Sequence, residues 1–186
     1  MARKKTILKS QILETAYQVV KTEGFEGFTA RNIAKKMDCS TQPIYLEFKS
    51  MDDLKQELVV KVKTYIDETI YEKERTEEPL INMCLNYIHF SKDEPVFFKA
   101  LFFESQMDTD QMHNISLNKM MELFKQNDGT KELTEAEQIK LFKNIWITVH
   151  GTAVLVAQGF LKFNEKDGTD YIKQALQRSV PGYMVN

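Results

Sequence analysis

Glycine and proline are scarce, with seven Gly and four Pro in 186 residues. All-β sandwiches and α/β enzymes need many turns, so this scarcity points toward helices. Cysteine is scarcer still, present only as Cys39 and Cys84. Two thiols exclude a disulfide scaffold and the usual Cys-rich zinc site, and reduced thiols in a cytoplasm are the plain reading. Of the three histidines, His89 and His113 have no ligand spacing with each other or with Cys84, so neither a metal nor another cofactor is expected. The N-terminus is basic but lacks an apolar core segment, so no secretory signal is expected. G-x-G-x-x-G, G-x-x-x-x-G-K, H-E-x-x-H and G-x-S-x-G do not occur, and an enzyme is not expected. Net charge is −2, which by itself names no partner.

What is present is a large apolar fraction, 42% of the residues, enough to bury a core and to argue against disorder. The charge is unevenly spread. Residues 1–50 hold nine Lys/Arg against five Asp/Glu, whereas residues 51–186 hold 16 against 22. A basic front end on an acidic body is the asymmetry of a nucleic-acid reading head carried by a separate module. The other reading is a chance cluster at Arg3, Lys4 and Lys5.

Helical periodicity runs through the chain. Leu8, Ile12, Ala16, Val19 and Val20 form one helix face, stopped by Gly24. Thr29 is placed to cap a short helix over about 30–37, with Phe28 and Ile33 at hydrophobic-staple spacing. A third short helix carries Ile44, Tyr45 and Phe48. Ser50 with Asp53 opens a fourth, with Leu54, Leu58, Val62, Ile66 and Thr69 or Ile70 on one side. Pro79 and Pro95 suit the first turns of helices over about 80–92 and 96–105. Another spans about 109–126. Thr134 with Glu137 opens a long helix to about Phe163, and Gly168 is expected to break the chain before a last helix over 169–178. No strand alternation or internal repeat is visible. The fold class expected is all-α with about nine helices: a helix-turn-helix domain over 1–50, joined by a linking helix to a body over 51–186.

In a helix-turn-helix, one helix crosses the phosphate backbone and the next lies in the major groove. Arg31, Lys35 and Lys36 fall on or near the supporting helix. Thr41, Gln42 and Tyr45 fall on the presumed recognition helix, and Lys49 follows it. Lys4, Lys5 and Lys9 are placed to reach phosphates or the minor groove.

The residues Phe25-Glu26-Gly27-Phe28-Thr29-Ala30-Arg31-Asn32-Ile33-Ala34, then Ser40, then Ile44-Tyr45-Leu46-Glu47-Phe48-Lys49-Ser50 and Asp53-Leu54 resemble the N-terminal domain of TetR-family transcriptional regulators. The likeness covers about the first sixty residues. It implies a dimeric DNA-binding regulator, usually a repressor, with a ligand-binding C-terminal domain. It also implies that Thr29 caps the second helix and that Ser40 to Tyr45 form the turn and recognition helix. Tyr45 and Lys49 match positions that commonly touch phosphates. Two departures stand out. Met51 replaces a common Lys, and Pro43 stands where a small or hydroxylated residue is usual. Pro43 disfavours helical backbone at Gln42. Either the recognition helix starts at Pro43, with Thr41 and Gln42 splayed toward the bases and Gln42 paired to adenine, or Pro43 only stiffens the turn.

The body is rich in bulky apolar groups. Phe98, Phe102, Phe103, Met107, Met121 and Phe124, with Trp146 and His150 from the long helix, are the candidate lining of an effector pocket. The competing reading is plain core, and a satisfied core histidine for His150. From Ile145 to Leu161 no residue is charged. Polar groups make this a poor membrane span, and a helix buried partly by its own domain and partly by a partner chain is expected instead. Thr148, Thr152, Leu155 and Gly159 on this helix, with Tyr171 and Ala175 on the last, are the candidate dimer face. Trp146 to Gly151 also resembles the Trp-x-x-x-His-Gly signature of one TetR-family subgroup. The expected partners are an operator in double-stranded DNA, a second copy of the chain and a small apolar effector, with no membrane. The alternative is a DNA-binding dimer or adaptor without a small-molecule ligand.

Overall fold

The computed structural model describes residues 7–104 and 109–179. Among them are nine α-helices and no strand, and no helix long and apolar enough to cross a membrane. Lys4, Lys5 and Met107 lie outside the described residues.

The first three helices build the head: α1 (Lys9–Glu23), α2 (Ala30–Lys36) and α3 (Gln42–Glu47). A single 3₁₀ turn, Phe25–Gly27, separates α1 from α2. Ile12, Ala16, Val19, Ala30, Ile33, Ala34, Ile44, Phe48 and Leu54 share one buried cluster. The Thr29 hydroxyl accepts the Asn32 N–H at 3.2 Å, as an N-cap should, and Phe28 packs on the same cluster as Ile33, so the staple forms.

The turn between α2 and α3 has an unusual residue at its pivot. Asp38 takes φ of 52°. Its N–H donates to the Lys35 carbonyl at 3.2 Å, and the Cys39 N–H donates to Ala34 at 3.0 Å. This pair of bonds is a Schellman motif, in which glycine is the usual left-handed residue. An aspartate there carries the cost of its Cβ and a negative charge at a helix C-terminus. Asp38→Gly is therefore expected to stabilise the protein by about 0.5–1 kcal/mol, the backbone relief exceeding the added freedom of the unfolded chain. Urea unfolding midpoints check this; an unchanged or lower midpoint contradicts it.

Helix α4 (Met51–Tyr65) joins head and body. The Ser50 hydroxyl accepts the Asp53 N–H at 3.1 Å. The Asp53 carboxylate bonds the N–H of Lys49 rather than that of Ser50, so the box closes one residue upstream of the expected one. Leu54 belongs to the head cluster, whereas Leu58, Val59 and Val62 belong to that of the body. A π turn over Ile66–Ile70 follows. It inserts one residue and turns Ile70, not Thr69, inward.

In the body, α5 (Pro79–Asp93) packs against α6 (Pro95–Phe102), α7 (Thr109–Gln126), α8 (Glu135–Ala157) and α9 (Glu165–Ser179). Both prolines occupy first turns. The capping box of α8 forms, with the Thr134 N–H donating to Glu137 at 2.8 Å. Two expected boundaries are corrected. Helix α8 stops at Ala157, not near Phe163, because Gly159 turns to φ of 77° and the Phe160 N–H reaches back to Leu155 at 2.9 Å. Gly168 does not break the chain; it lies inside α9. A Cβ on it would stand 2.3 Å from the Phe163 ring, so close packing requires the glycine, while Asn164 caps the helix by accepting the Lys166 N–H.

The start of α9 is clasped to α5. The Glu165 carboxylate lies 3.0 Å from His89 Nε2 and 3.6 Å from Arg75. Arg75 donates to Asn86 at 2.6 Å. Burial, then the Arg75 charge, lower the His89 pKa despite Glu165. The unfolded chain therefore binds the proton more readily, and stability falls as pH drops below about 6.5 through the lowered native value. A His89→Gln variant is expected to lose less stability than the parent between neutral and mildly acidic pH. Urea unfolding at both pH values measures it, and equal losses contradict the assignment.

Candidate functional site

Helix α3 is held from behind and open in front. Ile44 and Phe48 are fully buried, which fixes the helix on α1, α2 and the start of α4. Ser40, Thr41, Gln42, Tyr45 and Lys49 are exposed, Tyr45 by 53%. The helix begins at Gln42, one residue before the start that the first of the two readings of Pro43 supposes. Pro43 stands in its first turn, where a missing N–H leaves no bond unmade. Leu46, which periodicity does not single out, is 75% exposed beside these residues.

The basic residues divide. Arg31, Lys35 and Lys49 are exposed. Lys36 is exposed too but pairs with Glu23 at 2.5 Å, and that carboxylate also accepts from the Asn32 side chain at 2.7 Å. Lys9 pairs with Glu57 and lies 5.0 Å over the Phe48 ring. Thr29 is exposed but committed to its cap. The fold thus leaves the recognition residues exposed, while Lys9 and Lys36, also exposed, carry surface ion pairs with Glu57 and Glu23.

In the body, four of the candidate pocket residues meet around a residue the sequence does not single out. The Tyr87 ring lies within 6.0 Å, centre to centre, of Phe98, Phe102, Trp146 and His150. Its hydroxyl is 2.8 Å from His150 Nδ1. Burial holds the Tyr87 pKa well above its ordinary value, so the phenol stays neutral. His150 is stacked between Phe103 and Trp146, with interplanar angles of 18° to each. Phe124 is fully buried core, and Met121 packs against that core. Burial pushes the Cys84 thiol up to about 12, which leaves it inert.

Helix α6 connects this packed aromatic cluster to the head. Phe98 and Phe102 face Tyr87, and the residues flanking α6 are tied to α1 at one end and to the 3₁₀ turn after α1 at the other. At one end Glu94 pairs with Lys21 at 2.8 Å and accepts the Tyr65 hydroxyl. At the other, Glu104 accepts the Phe25 N–H at 2.7 Å.

On the outside of the body, Ile147, Gly151, Leu155 and Gln158 form one exposed stripe of α8. Ile147 is 74% exposed and Leu155 46%. Thr148 and Thr152 are half-buried and line, with Tyr171, a cavity of about 370 Å³ between α8 and α9. Ala175 is half-buried and Gly159 lies beyond the end of α8. Among the described residues no group of three or more His, Cys, Asp or Glu side chains is placed to hold a metal ion.

Residues 12–58 match the model of the bacterial regulatory proteins of the tetR family. No curated protein matches the chain. Solved structures share the fold over nearly the whole length. A TetR-like transcriptional regulator from Rhodococcus sp. RHA1 is 18% identical, with a TM-score of 0.60 over 94% of this chain and 96% of that one. A Clostridium perfringens protein assigned as a fatty acid metabolism regulator is also 18% identical, with a TM-score of 0.60 over 95% and 100%. The fatty acid degradation regulator FadR from Bacillus halodurans is 20% identical, with a TM-score of 0.55 over 95% and 96%. The N-terminal segment is thus a TetR-family helix-turn-helix, and the chain as a whole has the fold of such regulators.

Proposed function

We propose that the protein is a TetR-family transcriptional regulator, a cytoplasmic repressor that binds a near-palindromic operator as a homodimer and releases it when an apolar small molecule enters the body. The observation that carries this reading is α3: its back is buried by Ile44 and Phe48, and its front offers Thr41, Gln42 and Tyr45 to a groove. Lys49 and Arg31, with Lys4 and Lys5 from the arm, would hold phosphates. Ser40 and Pro43 would set the entry of α3. The exposed stripe of α8, beside Thr148, Thr152, Gly159, Tyr171 and Ala175, is the face for the second copy.

The effector enters at the Tyr87–His150 aromatic cluster, where Trp146 and His150 of the Trp-x-x-x-His-Gly signature meet Phe98, Phe102 and Phe103; Met107, Met121 and Phe124 are the remaining candidates for its lining. A ligand that spreads these rings shifts α6, whose flanking residues are tied to α1 through Glu94 and Lys21 and to the turn between α1 and α2 through Glu104 and Phe25. It therefore prefers a conformation in which the heads no longer match the operator, and that difference in affinity is its whole leverage. The fold shared with two proteins described as fatty acid regulators makes acyl compounds the first effectors to try.

The test selects duplexes from a random pool and measures binding by fluorescence anisotropy. A near-palindrome should be enriched, with affinity falling about a thousandfold or more between about 50 and 200 mM salt. Acyl compounds should release it. Absence of any enriched duplex contradicts the reading.

A further inference from the structure

We infer that Leu46 reads thymine through its C5-methyl group, in the base step next to the one met by Gln42; the inference rests on the DNA-binding reading of α3. Helix geometry gives the direction. At about 100° per residue, Leu46 points roughly 160° away from Ile44, the side chain that anchors α3, and within about 40° of Gln42. Ile44 is fully buried and Leu46 is 75% exposed. Leu46 is therefore near the middle of the outward face, not at its edge.

Nothing in the described chain covers this leucine. Tyr45 and Gln42 beside it are exposed and polar-tipped, so no apolar surface continues from it on α3 toward a protein partner. A single branched apolar group flanking an amide, with a hydroxyl beyond it, matches the major-groove edge of an A·T-containing step. There the only apolar feature is the thymine methyl, and adenine offers the donor and acceptor that a glutamine amide can pair. Cytosine lacks that methyl and presents an amino group, which a leucine cannot bond. Leu46 thus favours thymine by burying the methyl and disfavours cytosine by stranding its donor.

The test uses the full-length protein and the selected duplex. Each thymine is replaced in turn by uracil, which deletes the methyl and leaves pairing intact. Binding is measured by anisotropy for the parent and for Leu46→Ala, with unfolding midpoints showing that the exposed substitution leaves the fold intact. For the parent, one symmetry-related uracil position should weaken binding about fourfold in one half-site and about 15-fold in both, the value of one methyl group per site. Leu46→Ala should bind the thymine and uracil duplexes alike. If the parent ignores every uracil, or if Leu46→Ala keeps the parent's sensitivity, the inference is overturned while the DNA-binding reading stands. If no duplex binds at all, both fall together.

Discussion

Phe48→Ala is expected to cost about 3–5 kcal/mol and to abolish operator binding while leaving the body folded. Phe48 is 1% exposed. Its ring closes the C-terminal end of α3, in a cluster supplied by α1, α2, α3 and Leu54 of α4. That cluster has only nine buried members, so it has little reserve against a cavity of phenylalanine size. The body rests on a second cluster, to which α1 contributes Tyr17 and Val20 and which shares only the flanking Leu13 and Phe28 with the first. Loss should therefore be local. Hydrogen exchange is the discriminating readout: amides of α2 and α3 should lose protection while those of α5 and α8 keep theirs. Uniform loss across the chain would contradict the separation of the two cores.

The second large effect concerns the outer stripe of α8. Ile147→Asp combined with Leu155→Asp places two charges where the second copy is proposed to pack, and neither residue is buried within its own chain. The substitutions should leave the unfolding transition of the monomer nearly intact and convert the dimer to monomer in sedimentation. Operator affinity should fall at least about a hundredfold, because two heads on one dimer raise each other's effective concentration at the half-sites. A pair of variants that remains dimeric places the interface elsewhere; one that becomes monomeric yet binds the full operator unchanged contradicts the dimeric mode.

Legibility in the sequence followed the range of the forces involved. Local signals were readable. Thr29 caps α2, the Thr134–Glu137 box opens α8, and Pro79 and Pro95 start their helices, because each depends on neighbours within one turn. The head was readable for a further reason: its motif fixes both the buried and the exposed side of α3. Features set by tertiary packing were not. Gly168 is a helix breaker by propensity, yet it sits inside α9 because the Phe163 ring takes the place of its side chain. Gly159 stops α8 early through a left-handed turn that periodicity does not register. Thr69 and Ile70 are interchangeable by spacing until the π turn chooses between them. Tyr87 is one of several apolar positions on α5, and only the convergence of α5, α6 and α8 makes it the centre of an aromatic cluster. Lys9 and Lys36 read as DNA contacts by charge, and only the fold shows their carboxylate partners.

The most direct measurement is the mass of the complex formed on the selected duplex, by sedimentation or native mass spectrometry. Two chains per duplex, converted by an acyl ligand to free duplex and free dimer, is the predicted result. A single chain on the duplex, or a protein that leaves all DNA unbound at modest ionic strength, would contradict it.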